Sequence, residues 1–241
     1  PRSALYRQAY LDWKNENVNL RKFKSSIAVR NVSNDVSDKA IQTLLNVCKK
    51  NRKVFQDYFK LKAKICKIKN ITRYDIYTYY STKSKKYSYE LSTKLVFKAY
   101  REYSEEMYKL AKKIVDGNHI DYGQRKGKKG GGFCMDVGPD IVPYILLNHD
   151  GNVRDVFTMA HELGHGVHDL LTHKHSILTC HAPLILAETA SIFGEMLLFD
   201  SLINGTKDKE TKKTLLLNKL DDTYATIIRQ TYFVLFEIKA H

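Results

Sequence analysis

The stretch that decides the fold is residues 155–171, which read DVFTMAHELGHGVHDLL. Apolar side chains recur here three and four residues apart, which predicts a core helix that runs toward Leu171 with Asp155 as its N-cap. His161 and His165 interrupt the apolar pattern four residues apart. Side chains at this spacing lie on one face of a helix, so both imidazoles can reach one metal ion. The alternative is a buried pair of purely structural histidines.

Glu162 completes the pattern H-E-x-x-H, in which each residue type has a chemical role. A catalytic zinc ion lowers the pKa of a water toward about 7, and the glutamate takes the proton of that water as it attacks a carbonyl. The sequence therefore predicts Glu162 as the general base of a zinc-dependent hydrolase.

A catalytic zinc ion also needs a third protein ligand. The pattern H-E-x-x-H-x-x-G-x-x-H is excluded, because Leu171 stands where its third histidine would be. An acidic residue of the following helix is then expected, and Glu188 is the first candidate. Glu195 lies about two turns further on the same face and is predicted to hold a ligand in place, although the opposite assignment stays open. His168 is predicted to lie on the helix surface or beside a ligand.

The rest of the chain predicts a mainly α-helical protein with little sheet. Apolar periodicity predicts helices around Ala4–Trp13, Asp38–Cys66, Tyr89–Val115 and residues 184–202, and from Lys212 onward. Two short strands are predicted around residues 133–135 and 143–147. By composition we divide the chain into a basic helical portion, residues 1–118, and a zinc-binding catalytic portion, residues 119–241.

The net charge of +14 is unevenly distributed. Residues 1–120 carry 27 Lys and Arg against 11 Asp and Glu, and residues 121–241 carry 13 against 15, so the two halves have net charges of +16 and −2. The lysines are dispersed between apolar positions, which is typical of solvated helix faces, so no nucleic-acid partner is predicted.

Other classes of protein are excluded by simple patterns. No apolar run approaches the roughly 20 residues that cross a bilayer, so no membrane partner is expected. The four cysteines include no CxxC pair, which predicts free thiols in a cytoplasmic protein. The basic, glycine-rich residues 123–132 lack the spacing of a phosphate-binding loop.

Two segments resemble a known family. HELGHGVH at residues 161–168 and AETASIFGE at residues 187–195 are similar to the oligoendopeptidase F branch of the thimet oligopeptidase-like metallopeptidases, family M3. The similarity extends to GKKGGGFC at 127–134, PYILLN at 143–148 and RQTYF at 229–233. The resemblance implies a zincin-like helical catalytic portion with a small β-sheet beside the active-site helix. It also implies one Zn²⁺ per chain and hydrolysis of peptide bonds in oligopeptides.

The resemblance implies two further features. The strand with Phe133 and Cys134 would pair with the extended backbone of the substrate. Family members also continue into a His/Tyr-rich segment that stabilises the oxyanion, and no matching segment precedes His241, so we expect a piece of a longer protein. A catalytically silent fragment that binds zinc and peptide is therefore the alternative function. Nothing in the pattern indicates an oligomeric state.

Overall fold

The computed structural model describes residues 2–78, 80 and 86–241. Within them the chain forms helices α1 (Arg2–Lys14), α2 (Ser26–Ser33), α3 (Asp38–Lys50), α4 (Arg52–Ile65), α5 (Tyr89–Tyr103), α6 (Glu105–Asp116), α7 (Val153–Thr172), α8 (Leu184–Gly205), α9 (Lys209–Tyr224) and α10 (Gln230–Ala240). The strands are β1 (Ile120–Asp121), β2 (Phe133–Met135) and β3 (Tyr144–Leu146). Short 3₁₀ and π-helical turns occupy Arg73–Asp75, Asn15–Leu20 and Ala225–Arg229. The predicted fold class, mainly α with a small sheet, is confirmed.

The backbone forms two compact units. The central unit spans Ser81–Leu215, and the terminal unit combines Pro1–Tyr80 with Leu216–His241. The central unit contains α5 to α8 and the sheet, whereas the terminal unit contains α1 to α4 and α10. These units are defined by contacts within the backbone. The division at residues 118 and 119 rests on composition and stays a prediction.

Two predicted helical stretches are each interrupted once. The stretch around Asp38–Cys66 divides at Asn51, and the stretch around Tyr89–Val115 divides at Ser104. Ser104 has extended backbone angles, φ −155° and ψ 128°, and its side chain accepts a hydrogen bond from the Met107 N–H. It thereby ends α5 and caps the N-terminus of α6.

Helix α7 begins earlier than predicted. The prediction of Asp155 as its N-cap is wrong, because the N-cap is Asn152. The Asn152 side chain accepts the Asp155 N–H at 3.2 Å, and the Asp155 carboxylate accepts the Asn152 N–H at 3.1 Å. This reciprocal pair is a capping box, in which the acidic residue stands at the third helical position.

The sheet lies against α7 and has the strand order β1-β3-β2. β1 pairs in parallel with β3, and β2 pairs antiparallel with β3 through Cys134 and Ile145. β1 was not predicted, because two residues are too short for an alternating pattern to be recognised. The order leaves β2 at an edge of the sheet.

The core of the central unit surrounds the apolar face of α7. Its fully buried members come from α5, α6, α7 and α8: Val96, Tyr100, Ala111, Ile114, Val156, Met159, Ala160, Leu163 and Leu198. Ile145 of β3 and Leu147, which directly follows β3, are each 2% exposed. The helix that carries the H-E-x-x-H pattern is thus fixed on several sides by close packing. This rigidity is what a preorganised site requires.

A buried ion pair lies in the terminal unit. Lys62 of α4 donates to the Asp221 carboxylate at 2.6 Å and to the Ile76 carbonyl at 2.5 Å, and its side chain is 1% exposed. The Tyr58 hydroxyl donates to the other Asp221 oxygen at 2.7 Å. The buried charges therefore have hydrogen-bond partners, as buried ions require.

The structure also bears on the cysteines and on membrane spans. All four cysteines are free thiols, and Cys48 and Cys180 are buried. Among the described helices, none combines the length and the apolar character that crossing a membrane requires.

Candidate metal centre

Helices α7 and α8 bring three metal-ligating side chains together. Glu188 Oε2 lies 3.3 Å from His161 Nε2 and 3.7 Å from His165 Nε2. Each residue offers one ligand atom, and the three atoms lie within 4.8 Å of one another. Zinc ligands stand about 2.0–2.2 Å from the ion when they are imidazole nitrogen or carboxylate oxygen. The three atoms are therefore close enough to share one ion.

Two glycines allow α8 to approach α7 this closely. A Cβ at Gly164 would stand 2.9 Å from the Ser191 Cα. A Cβ at Gly194 would stand 2.8 Å from the Ala160 carbonyl oxygen and would also collide with the Tyr100 hydroxyl. These distances are shorter than van der Waals contact, so a side chain at either position would push the two helices apart.

Glu195 fixes the orientation of the His161 ring. The His161 Nδ1–H donates to the Glu195 Oε1 at 2.6 Å, which leaves the Nε2 atom facing Glu188. Burial lowers the pKa of His161, but the hydrogen bond and charge of Glu195 and the charges of Glu162 and Glu188 together raise it by more, so the net pKa lies above its ordinary value. A carboxylate on the far nitrogen of a ligating histidine is a common arrangement in metal sites.

Glu162 projects from the same helix and is buried. Burial raises the pKa of its carboxyl to about 7, because the charged form loses its hydration. The positive charge of His161 opposes this effect, and the negative charge of Glu188 adds to it. The carboxyl thus takes up a proton more readily than an exposed glutamate does.

His165 and His168 stand almost one helical turn apart on α7. Burial lowers the pKa of His165, and the nearby charges of His161 and His168 lower it further. His168 is half-buried, and in the part of the chain that the structure describes it does not belong to the group of three that could share an ion.

Two hydroxyl groups support the site, and sequence reasoning missed both. The Ser191 hydroxyl is fully buried and lies 3.0 Å from both the Glu188 Oε2 and the Glu188 carbonyl oxygen. The Tyr100 hydroxyl donates to the Ala160 carbonyl of α7 at 2.5 Å. The first contact has a possible sequence signal, which is a serine three residues after a glutamate on one helix. The second contact joins residues 60 positions apart, so no local sequence pattern indicates it.

Strand β2 runs beside the buried glutamate. The Cys134 N–H donates to the Glu162 carboxyl, and the Cys134 thiol lies 3.5 Å from the Asp169 carboxylate. The Phe133 ring lies 5.3 Å from the Lys129 ammonium group. Among the described strands, only β3 pairs with β2. The other edge of β2 therefore pairs with no described strand.

Known proteins resemble the chain in sequence. Oligoendopeptidase F, chromosomal, of Lactococcus lactis subsp. cremoris is 30% identical over 228 residues, which are 94% of this chain and 38% of that protein. Oligopeptidase PepF of Bacillus subtilis (strain 168) is 28% identical over 224 residues, which are 92% of this chain and 33% of that protein. The chain thus spans about a third of the length of these curated relatives.

A solved structure and a family model also match the chain. A crystal structure from Chlamydophila abortus matches with a TM-score of 0.78 and 30% identity, covering 91% of this chain and 37% of that one. The model of peptidase family M3 matches residues 4–241. Because this match covers nearly the whole sequence, the chain belongs to peptidase family M3.

Proposed function

We propose that this chain carries the catalytic zinc site of a metalloendopeptidase that cleaves oligopeptides. In this proposal His161, His165 and Glu188 hold one zinc ion per chain. Glu162 is the general base, and Glu195 orients His161. The observation that carries the proposal is the convergence of two imidazole nitrogens and one carboxylate oxygen within 4.8 Å.

The donor set suits a catalytic zinc ion. Two histidines and one glutamate are a ligand combination of zinc hydrolases, which leave further positions open for water and substrate. When bound, the ion would polarise the peptide carbonyl and lower the pKa of an attacking water. Glu162 accepts the proton of that water on its carboxylate and then delivers it to the nitrogen of the leaving amine.

The proposed substrate is an extended oligopeptide. The edge of β2 offers main-chain groups with which an extended backbone can pair, next to the Glu162 carboxyl. Phe133 and Cys134 would contribute these groups. The names of the curated relatives, oligoendopeptidase and oligopeptidase, favour the same class of substrate. A cytoplasmic location also remains a prediction.

Replacement of the general base tests the proposal. We expect Glu162→Gln to retain one zinc ion per chain, because the three ligands are unchanged. The variant should lose about 10²- to 10⁴-fold of the rate on a quenched fluorescent oligopeptide, the usual contribution of a general base. Zinc is measured by elemental mass spectrometry, and hydrolysis by fluorescence.

Glu106→Gln is the matched control, since Glu106 is an exposed glutamate of α6 in the same unit. It should keep both zinc and rate. Wild-type protein that binds zinc and peptide without turnover would favour the silent binding fragment. Undiminished hydrolysis by Glu162→Gln, or a chain without zinc, would contradict the proposed site.

A further inference from the structure

A second group of metal-ligating side chains lies where β2 ends. Asp136 directly follows β2, and Cys180 and His181 precede α8 in the segment that connects it to α7. One ligand atom from each residue lies within 4.8 Å of the other two. None of these residues belongs to the group around His161 and Glu188.

The Asp136 carboxylate is buried, and only one of its two oxygens has hydrogen-bond partners among the described residues. Its side chain is 6% exposed. Oδ1 lies 3.1 Å from the His173 Nε2 and accepts the Gly138 N–H at 3.2 Å. Oδ2 is buried without a hydrogen-bond partner among the described residues. Buried polar atoms are nearly always paired, so this oxygen is a candidate ligand for a bound ion.

The distance between the unpaired oxygen and His181 agrees with a shared ion. Asp136 Oδ2 lies 3.6 Å from the His181 Nδ1, which is too long for a hydrogen bond between them. Two ligands of a tetrahedral zinc ion, at about 2.0–2.3 Å from the metal, stand roughly 3.3–3.8 Å apart. The observed separation falls in this interval.

The third candidate ligand, the Cys180 thiol, favours one class of metal ion. The Cys180 side chain is buried, and the residue is 2% exposed. A thiolate, an imidazole and a carboxylate together favour zinc and similar transition-metal ions, whereas calcium and magnesium take oxygen ligands. The thiol loses its proton to solvent when it binds. One thiolate and one carboxylate then balance the two positive charges of the ion.

We propose that Asp136, Cys180 and His181 form a second binding site for a zinc-class divalent ion. His173 holds the Asp136 carboxylate in place by bonding its other oxygen. The ion would tie the segment between α7 and α8 to the end of β2. This proposal does not depend on the peptidase activity, since it involves other side chains.

Cobalt(II) is a suitable probe, because cobalt bound to a thiolate gives a sulfur-to-metal charge-transfer band in the near ultraviolet. The group of His161, His165 and Glu188 contains no sulfur, so no such band is expected from it, and the Cys180→Ser variant tests whether the band arises at the second site. We expect the metal-free chain to bind two Co²⁺ ions and to develop this band. Cys180→Ser should abolish the band and reduce the stoichiometry to one.

Cys48→Ser is the matched control, because Cys48 is also a buried cysteine but lies in the terminal unit. It should leave band and stoichiometry unchanged. His181→Ala removes a side chain that is 55% exposed, so the fold should persist, and the second Co²⁺ should bind about tenfold more weakly or worse. A missing band in the wild type, a band that persists in Cys180→Ser, or unchanged Co²⁺ affinity in His181→Ala would overturn the proposal.

Discussion

Glu188 turns its carboxylate toward two histidines although half of its side chain, 51%, is exposed to solvent. An exposed glutamate on a helix surface has several rotamers available to it, and ordering them costs conformational entropy. The Ser191 hydroxyl reduces that freedom, because it bonds the Glu188 carboxylate from within the same helix. The geometry of this proposed ligand therefore depends on a neighbour outside the proposed donor set.

Removal of this hydroxyl should weaken the metal site. We expect Ser191→Ala to lower the zinc affinity by about 10- to 100-fold, the usual effect of losing a group that orients a ligand. Competition with a chromogenic chelator measures the affinity. Thr189→Ala is the control, because Thr189 lies on the same helix and its hydroxyl bonds the Ile185 carbonyl. Equal zinc affinity in the two variants would contradict the role of Ser191.

At this scale, contacts between residues close together in the sequence could be predicted, and contacts between distant residues could not. His161 and His165 follow from one helical turn, and Glu188 follows from the need for a third ligand on the next helix. The supporting contact of Tyr100 comes from a different helix, and only packing brings it to Ala160. The assignment of Glu188 and Glu195 as ligand and partner stays a prediction.

At the scale of elements, the site depends on the distance between α7 and α8. Each helix carries its own part of the donor set, so neither binds an ion with three ligands alone. A Cβ at Gly164 would meet backbone atoms of Ser191 and Ala190 at 2.9 Å and 3.0 Å. Backbone atoms cannot turn aside as a flexible side chain can, so a side chain at residue 164 would increase the separation of the helices.

A methyl group at this contact should disturb both folding and binding. Alanine favours a helix over glycine by about 1 kcal/mol, but the Cβ of Gly164→Ala would stand 2.9 Å from the Ser191 Cα. We expect a net loss of about 1–3 kcal/mol in the free energy of unfolding, measured with urea, together with weaker zinc binding.

The comparison for this variant is Gly123→Ala, since a Cβ at Gly123 meets no described atom within 4 Å. It should change neither quantity. If Gly164→Ala were as stable as the wild type and bound zinc equally well, the close approach of the helices would not matter for the site.

The helices themselves were largely predictable, and their ends were less so. The apolar face of α7 is long enough for its period to stand out, but its first residue depends on the hydrogen bonds of Asn152. The break at Ser104 depends on a cap that competes with continuation of the helix. β1 has two residues, and its partner β3 lies 25 positions away, from Ile120 to Ile145.

At the scale of the whole molecule, the net charge of +14 raises the question of whether the chain binds nucleic acid. The lysines of the basic half are dispersed between apolar positions and form no continuous block. A few of them pair with acids one turn away, as Lys53 does with Asp57 at 2.9 Å and Lys98 with Glu102 at 3.2 Å. We therefore expect no retardation of duplex DNA or single-stranded RNA by the chain in gels at low salt. A known basic DNA-binding protein serves as the positive control. Retardation that disappears steeply with added salt would contradict this expectation.

The organisation into two units was the part least accessible to prediction. Composition changes near residue 118, but the contacts join Pro1–Tyr80 to Leu216–His241. Such a pairing of distant segments depends on contacts like that of Lys62 with Asp221, and neither helix carries a local sign of its partner. Periodicity describes one helix at a time, so it predicts elements better than their assembly.

The pairing of Lys62 with Asp221 has a consequence for the order of events on the ribosome. The two residues are separated by 159 positions, which take roughly 8–30 s to translate at about 5–20 residues per second. Until then the lysine lacks its counter-ion and stays hydrated. The continuous segment Ser81–Leu215 emerges before residues 216–241, so the unit with the H-E-x-x-H helix is able to mature first.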